Sequence, residues 1–199
     1  MNLSPSSIVF LTGTAIYVGI RAHFQRVARA QKTAVQRSSR RDMALVLLVG
    51  ACQVAFPLVF IFSSWLDRLN YVLPRTALDP GVVALLVGLW LFWRSHIDLG
   101  KSWSVTLELR ENHRLVTGGV YRLIRHPMYA SFFLLAIAQA LLLANWLAGW
   151  SALASVLLLY FVRVPAEEAM MLGSFGAEYQ SYIERTGGII PRWRRASGA

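Results

Sequence analysis

The chain has 199 residues, 56% of them hydrophobic and only 15% charged, with a mean hydropathy of +0.47. That mixture excludes an ordinary soluble domain and describes an integral membrane protein. The formal charge of +10 is carried by basic residues interleaved with long apolar runs, a pattern that fits anionic lipid headgroups and excludes a nucleic-acid-binding face.

The N-terminal stretch MNLSPSSIVFLTGTAIYVGI has no Lys or Arg ahead of its apolar run, unlike a cleaved leader, and is expected to stay on the protein. Its first span, Ser7–Ile20, is short and starts near Pro5. Further spans are predicted at Met43–Leu66 and Gly81–Ile97, and Asp79–Pro80 reads as an N-cap followed by proline at the first helical position. Cys52 lies inside the second run, supports no disulfide framework, and is expected to pack as a small hydrophobe. The run Met128–Val164 is too long for one span and is interrupted near Asn145–Trp146, which predicts a helical hairpin and brings the count to five.

Charge asymmetry orients these spans. Arg21, Arg26, Arg29, Lys32, Arg37, Arg40 and Arg41 lie between the first two, whereas Asp67–Asp79 holds only Arg68 and Arg75 against two acids. The first loop is therefore predicted to face the cytoplasm, with the N-terminus outside. The segment Arg94–Arg125 and the tail PRWRRASGA then fall on the cytoplasmic side as well. The basic segment 21–42 reads either as a solvated loop or as an amphipathic helix on the membrane. The fold expected is all-α, one membrane domain over residues 1–199. Residues 1–100 hold three spans and the basic loop; residues 101–199 hold a catalytic core with the hairpin and a C-terminal cytoplasmic helix.

Two clusters on that side carry chemistry: HRLVTGGVYRLIRHPMY, ending at Tyr129, and RVPAEEAMMLGSFGAEYQSYIERTGGIIPR, from Arg163 to Arg192. Each has a plain structural reading. Pro127 starts a helix, Arg122 and Arg125 snorkel to phosphates, and Glu167 and Glu168 after Pro165 occupy a helix's first turn. Together they say more. Arg163 closes an apolar span, and Glu167 shares its face if the helix continues through Pro165. Gly118–Gly119 allows close backbone approach, and Tyr121, Tyr129, Trp103 and His126 can surround a cationic ligand, whether sulfonium, amine or lipid headgroup. A tail helix of roughly Ala166–Arg185 places Met171, Phe175, Tyr179 and Tyr182 in a packing stripe, and GGIIPR then turns the chain back toward the protein.

The two clusters resemble the signatures H-x-L-V-x-x-G-x-Y-x-x-x-R-H-P-x-Y and R-x-x-x-E-E…F-G-x-x-Y-x-x-Y of isoprenylcysteine carboxyl methyltransferases, in order and spacing, over Trp103–Pro191. The wider superfamily includes phospholipid and small-thiol methyltransferases and, more remotely, NADPH-dependent sterol reductases. The resemblance implies an integral-membrane enzyme that uses S-adenosylmethionine, releases S-adenosylhomocysteine, has no soluble Rossmann domain and needs no metal. Carried over by position, the cofactor contacts fall on His113, Arg114, Leu115, Val116, Tyr121, His126, Pro127, Met128, Tyr129 and Glu167. Arg163 matches the substrate-contacting arginine. A cofactor-contacting glutamine of the family is Thr106 here. Arg163, Glu167 and His126 are the candidate catalytic residues, membrane lipids the surroundings, and a lipophilic or prenylated molecule the methyl acceptor. An amine or thiol acceptor would give Glu167, Glu168 or His126 a proton to take. A sterol or enone reductase and a non-catalytic lipid-binding protein are the alternatives of other classes.

Overall fold

A computed structural model describes residues 3–29, 33–36, 40–100, 108–110 and 115–192. Helix α1, Pro5–Arg29, is followed by strand β1, Thr33–Gln36, and by α2, Arg40–Gly50. A π-turn at Ala51–Ala55 joins α2 to α3, Phe56–Phe62, so that Arg40–Phe62 forms one apolar rod. Helix α4 spans Leu78–Leu99 and leads to strand β2, Glu108–Arg110. Helices α5, Pro127–Leu143, and α6, Trp146–Phe175, make the hairpin, and α7, Ala177–Arg185, ends the helical part.

Four of these rods, Pro5–Ala28, Arg40–Phe62, Leu78–Leu99 and Trp146–Phe175, are long and apolar enough to cross a bilayer. The fifth, α5, is apolar apart from Ser131 and Gln139 but has 17 residues, the lower limit for a crossing. It lies between α4 and α6. A first apolar cluster joins Phe10, Phe60, Leu85, Leu89 and Leu142, and a second joins Val49, Phe92, Tyr129, Phe132, Val156 and Leu159. Small residues let the central pair approach closely: a Cβ on Gly149 of α6 would lie 3.2 Å from the Cα of Ala140. Outward faces carry Leu86, Trp90, Leu158 and Phe161, as expected of surfaces that meet lipid.

Several expected boundaries shift. The first helix runs on to Arg29, so Arg21 and Arg26 extend a span and do not belong to a separate loop. Thr33–Gln36 pairs antiparallel with Glu108–Arg110, a small ladder that no hydrophobic alternation announces. Asp79–Pro80 does not cap α4: Ala77 does, after a 3-10 turn at Arg75–Ala77, and the proline occupies the first turn, where its missing N–H does no harm. The largest change concerns the tail. No new helix begins at Ala166; α6 continues through Pro165 and stops at Gly176, whose φ of 50° is a conformation that glycine adopts readily. The expected stripe is thus divided between helices: Met171 and Phe175 pack with Met170 on α6, while Tyr179 and Tyr182 are buried on α7.

The hairpin turn is held by one side chain. Ala144 adopts a left-handed conformation, and Asn145 Oδ1 accepts from the N–H groups of Leu147 and Ala148 at 3.1 and 2.9 Å. Its Nδ2 donates to Leu66 O and Asn70 Oδ1, both at 2.8 Å, so the same amide pins the loop after α3 onto the hairpin. Asn145 is fully buried, and its replacement strands donors and acceptors together. Asn145→Ala is expected to lower unfolding stability by about 2–4 kcal/mol, read as a fall in Tm of the detergent-solubilised protein.

Candidate active site

The approach to α5 is built on a glycine and an aspartate. Gly119 has a φ of 57°, and a Cβ placed there would run into the carboxylate of Asp98. The next residue, Val120, donates its N–H to Asp98 Oδ2 at 2.8 Å, while Asp98 Oδ1 is held by Arg94 Nη2 at 2.7 Å. The end of α4 thereby fixes the 3-10 turn Gly119–Arg122. Tyr121, in that turn, is buried, and its carbonyl accepts from Tyr182 Oη of α7 at 2.6 Å. Burial first, and the neighbouring phenol of Tyr182 second, push the Tyr121 hydroxyl far above its ordinary titration range. Burial also raises Tyr182, and takes Tyr179, beside the Glu168 carboxylate, up to about 12. These phenols stay protonated, and Tyr121 and Tyr182 donate to the carbonyls of Ser95 and Tyr121.

The chain after α7 does return. Arg125 N donates to Gly187 O at 2.8 Å and His126 N to Gly188 O at 3.0 Å, with Ile124 and Gly187 forming an isolated parallel bridge. His126 occupies the N-cap position of α5, but its imidazole makes no cap bond and points elsewhere. Pro127 after it opens the helix, as expected, and biases His126 away from helical dihedrals.

What the imidazole meets comes from α6. Because that helix passes through Pro165, Glu167 and Glu168 lie in its interior and not in a first turn, and Arg163 is one turn from Glu167, with Nη2 3.4 Å from Oε1. Tyr129 Oη donates to the same Glu167 oxygen at 2.6 Å. The other oxygen, Oε2, lies 3.9 Å from His126 Nδ1. On the opposite side of the ring, His126 Nε2 is 3.0 Å from Glu168 Oε1, which also takes Arg125 Nε at 3.1 Å and Nη2 at 3.0 Å. Arg125 Nη1 completes its bonds on the carbonyls of Thr186 and Ile183. The imidazole therefore stands between two neighbouring carboxylates, each matched to its own guanidinium. Tyr129 packs edge-on against His126 and Tyr160, at 5.8 and 5.7 Å between ring centroids. Arg163 and His126 are almost enclosed, while the Glu167 side chain keeps 22% of its surface open to a ligand.

Of the residues singled out from sequence, Arg163, Glu167, His126 and Tyr129 converge here. Tyr121 sits behind them, within electrostatic reach of Glu167. Pro127 is buried, Met128 packs on the second apolar cluster, and Leu115 and Val116 are half-buried on the way into the turn. His113, Arg114, Trp103 and Thr106 lie outside the described residues. Sequence reasoning missed Asp98 and the roles of Arg125 and Tyr182. The Arg94–Asp98 spacing of four was a readable helix pair; a tyrosine aimed at a backbone carbonyl has no sequence signature.

Fold and site together define an integral membrane protein, a helical bundle with a partly buried arginine, carboxylate and tyrosine cluster at one end. A model of the isoprenylcysteine carboxyl methyltransferase (ICMT) family matches residues 81–173. A probable protein-S-isoprenylcysteine O-methyltransferase from Oryza sativa is 31% identical over 116 residues, covering 56% of this chain and 59% of that protein. Protein-S-isoprenylcysteine O-methyltransferase A of Arabidopsis thaliana is 30% identical over 113 residues, covering 56% and 57%. This chain thus spans less than two thirds of the length of the relatives it matches. A solved structure described as the eukaryotic intramembrane Ras methyltransferase, isoprenylcysteine carboxyl methyltransferase, shares the fold, with a TM-score of 0.61 and 23% identity over 95% of this chain and 68% of that one. The match to that family's model covers α4 to α6, the part of the chain that carries the cluster.

Two adjacent glycines provide a local test. Gly119→Ala is expected to destabilise the protein by about 2 kcal/mol or more, through its positive φ and the overlap with Asp98. Gly118, with extended backbone and open space around its Cβ position, is expected to accept alanine with little change. Thermal unfolding of the two variants side by side checks the contrast.

Proposed function

We propose that this protein is an S-adenosylmethionine-dependent methyltransferase whose acceptor is membrane-associated, with isoprenylcysteine carboxyl O-methylation as the best model. The observation that carries the proposal is Glu167: a partly open carboxylate, oriented by Tyr129 and Arg163, among the faces and edges of Tyr129, Tyr160 and His126. Such a donor set fits a ligand that carries both an ammonium and a sulfonium, since the carboxylate matches the charge and the rings favour a cation. The names of the relatives support the same chemistry, because they are protein-S-isoprenylcysteine O-methyltransferases.

Bound there, S-adenosylmethionine supplies an electrophilic methyl group. Glu167, Tyr129 and His126 would hold it, with His113, Arg114, Leu115, Val116, Tyr121, Pro127 and Met128 as the further contacts the family pattern implies. Displacement at a methyl group depends on alignment at about 3–3.5 Å more than on proton transfer, so positioning is the main task of the side chains. Arg163 orients the acceptor. A carboxylate acceptor is already ionised near neutral pH and needs no base. Arg125 and Glu168 keep the His126 ring in place; for an amine or thiol acceptor, His126 or Glu168 would take the proton.

The site opens to the cytoplasm, with the N-terminus on the other side, on the strength of the basic residues gathered at that end of the bundle. The water-soluble donor enters from there, and the lipophilic acceptor enters laterally between helices.

Glu167→Gln is expected to weaken S-adenosylmethionine binding by about tenfold or more in detergent calorimetry, as loss of a charge-assisted contact requires. Arg163→Ala is expected to keep that binding and lose methyl transfer. Unchanged binding in the first variant, or normal turnover in the second, removes the role assigned to that residue. Radiolabelled methyl transfer to farnesylcysteine analogues, aminophospholipids and small thiols identifies the acceptor. NADPH oxidation without methyl release would instead point to a reductase.

A further inference from the structure

A second polar level lies deep in the bundle, away from the site. At the π-turn, Phe56 N–H bonds back to Ala51 O. In that register the carbonyl of Cys52 faces position 57, where Pro57 has no N–H to give. Gln139 of α5 takes over: its Nε2 donates to Cys52 O at 2.9 Å and to Ala148 O of α6 at 2.6 Å. Gln139 is 2% exposed and Gln53 6%.

Beside this junction, two buried side-chain atoms have no hydrogen-bond partner among the described residues. They are Nε2 of Gln53, next to Cys52, and Oγ of Ser151, one turn beyond Ala148. Water from the bulk does not reach the centre of a bilayer, so polar atoms there are satisfied by protein or by something bound. The level is about 15 Å from Tyr129 along α5 at the rise of a helix. Phe92, Phe132, Ala136, Ala152 and Val156 fill the space between, which makes it distinct from the candidate active site.

We propose that Gln53 and Ser151 bind one neutral hydroxyl group at the π-turn, that of a water molecule or of a lipid. The chemistry follows from the two atoms. Gln53 Nε2 can only donate, so it requires an oxygen acceptor; Ser151 Oγ both donates and accepts, and a hydroxyl answers both. No Asp, Glu, Lys or Arg occupies the π-turn or its contacts on α5 and α6, so a charged ligand would lack a counter-ion. Small size and neutrality fit a dry, close-packed surrounding. The bound group also ties the π-turn to α6, as Gln139 ties it to α5.

Thermal unfolding of the full chain in detergent, with Ser151→Ala, Gln53→Met and the double variant, decides the matter. If both atoms hold the same group, each single change lowers Tm, by about 2–4 °C for Ser151→Ala, and the double variant loses less than the sum. If the atoms are merely buried and unmatched, the apolar replacements raise Tm or act independently, and the proposal is overturned. Ser151→Ala removes one oxygen from a helix that tolerates alanine, so its sign decides even where Gln53→Met does not fold. Repeating the set after exchange into phosphatidylcholine without hydroxylated lipids separates the sources. Coupling that persists indicates water, and coupling that disappears indicates a lipid hydroxyl.

Discussion

Two neighbouring carboxylates on one helix impose most of what surrounds them. Glu167 and Glu168 are roughly 100° apart around α6, so they face different sectors. Largely withdrawn from water, each requires its own cation. Glu167 finds Arg163 one turn back, which is possible only because the helix does not stop at Pro165. Glu168 finds Arg125, which arrives from the approach to α5 and is itself anchored on carbonyls of the returning C-terminal segment. His126 fits between the two acids. The path of α6, the entry into α5 and the return after α7 thus satisfy one electrostatic requirement together.

Packing brings those groups into register. The buried Asn145 amide ends α5 and begins α6 in the shortest space, and small residues such as Gly149 and Ala140 let the two helices lie close. Tyr129, two residues into α5, then meets Glu167 near the far end of α6. Behind them, Asp98 locks the turn that carries Tyr121, and Tyr182 reaches that turn from α7. A closed apolar layer around Phe92 and Val156 separates this polar end from the Gln139 junction in mid-bundle. The site and the Gln139 junction are thus held apart along α5 and α6.

The family match covers residues 81–173, whereas similarity of fold to the solved methyltransferase extends over 95% of the chain. From α4 to α6 the side chains make most of the polar network, where one changed atom strands a charge or a donor.

The amino-acid sequence by itself determined the helices of the bundle, the hairpin turn at Asn145, the helix start at Pro127 and the grouping of Arg163, Glu167 and His126 as candidates. A membrane helix satisfies its own backbone and exposes its character in a single apolar run, and these motif residues keep fixed spacings along it. Only the tertiary structure decided whether Pro165 begins a helix or is passed by one, and its being passed is what puts Glu167 beside Arg163. The same holds for the partner of Glu168, the support of Gly119 by Asp98 and the bond from Gln139 to Cys52. Each joins a side chain to a residue or a backbone group on another element. A carbonyl or an amide is present at nearly every position, so its selection as a partner is settled by distance in the folded chain and not by residue type.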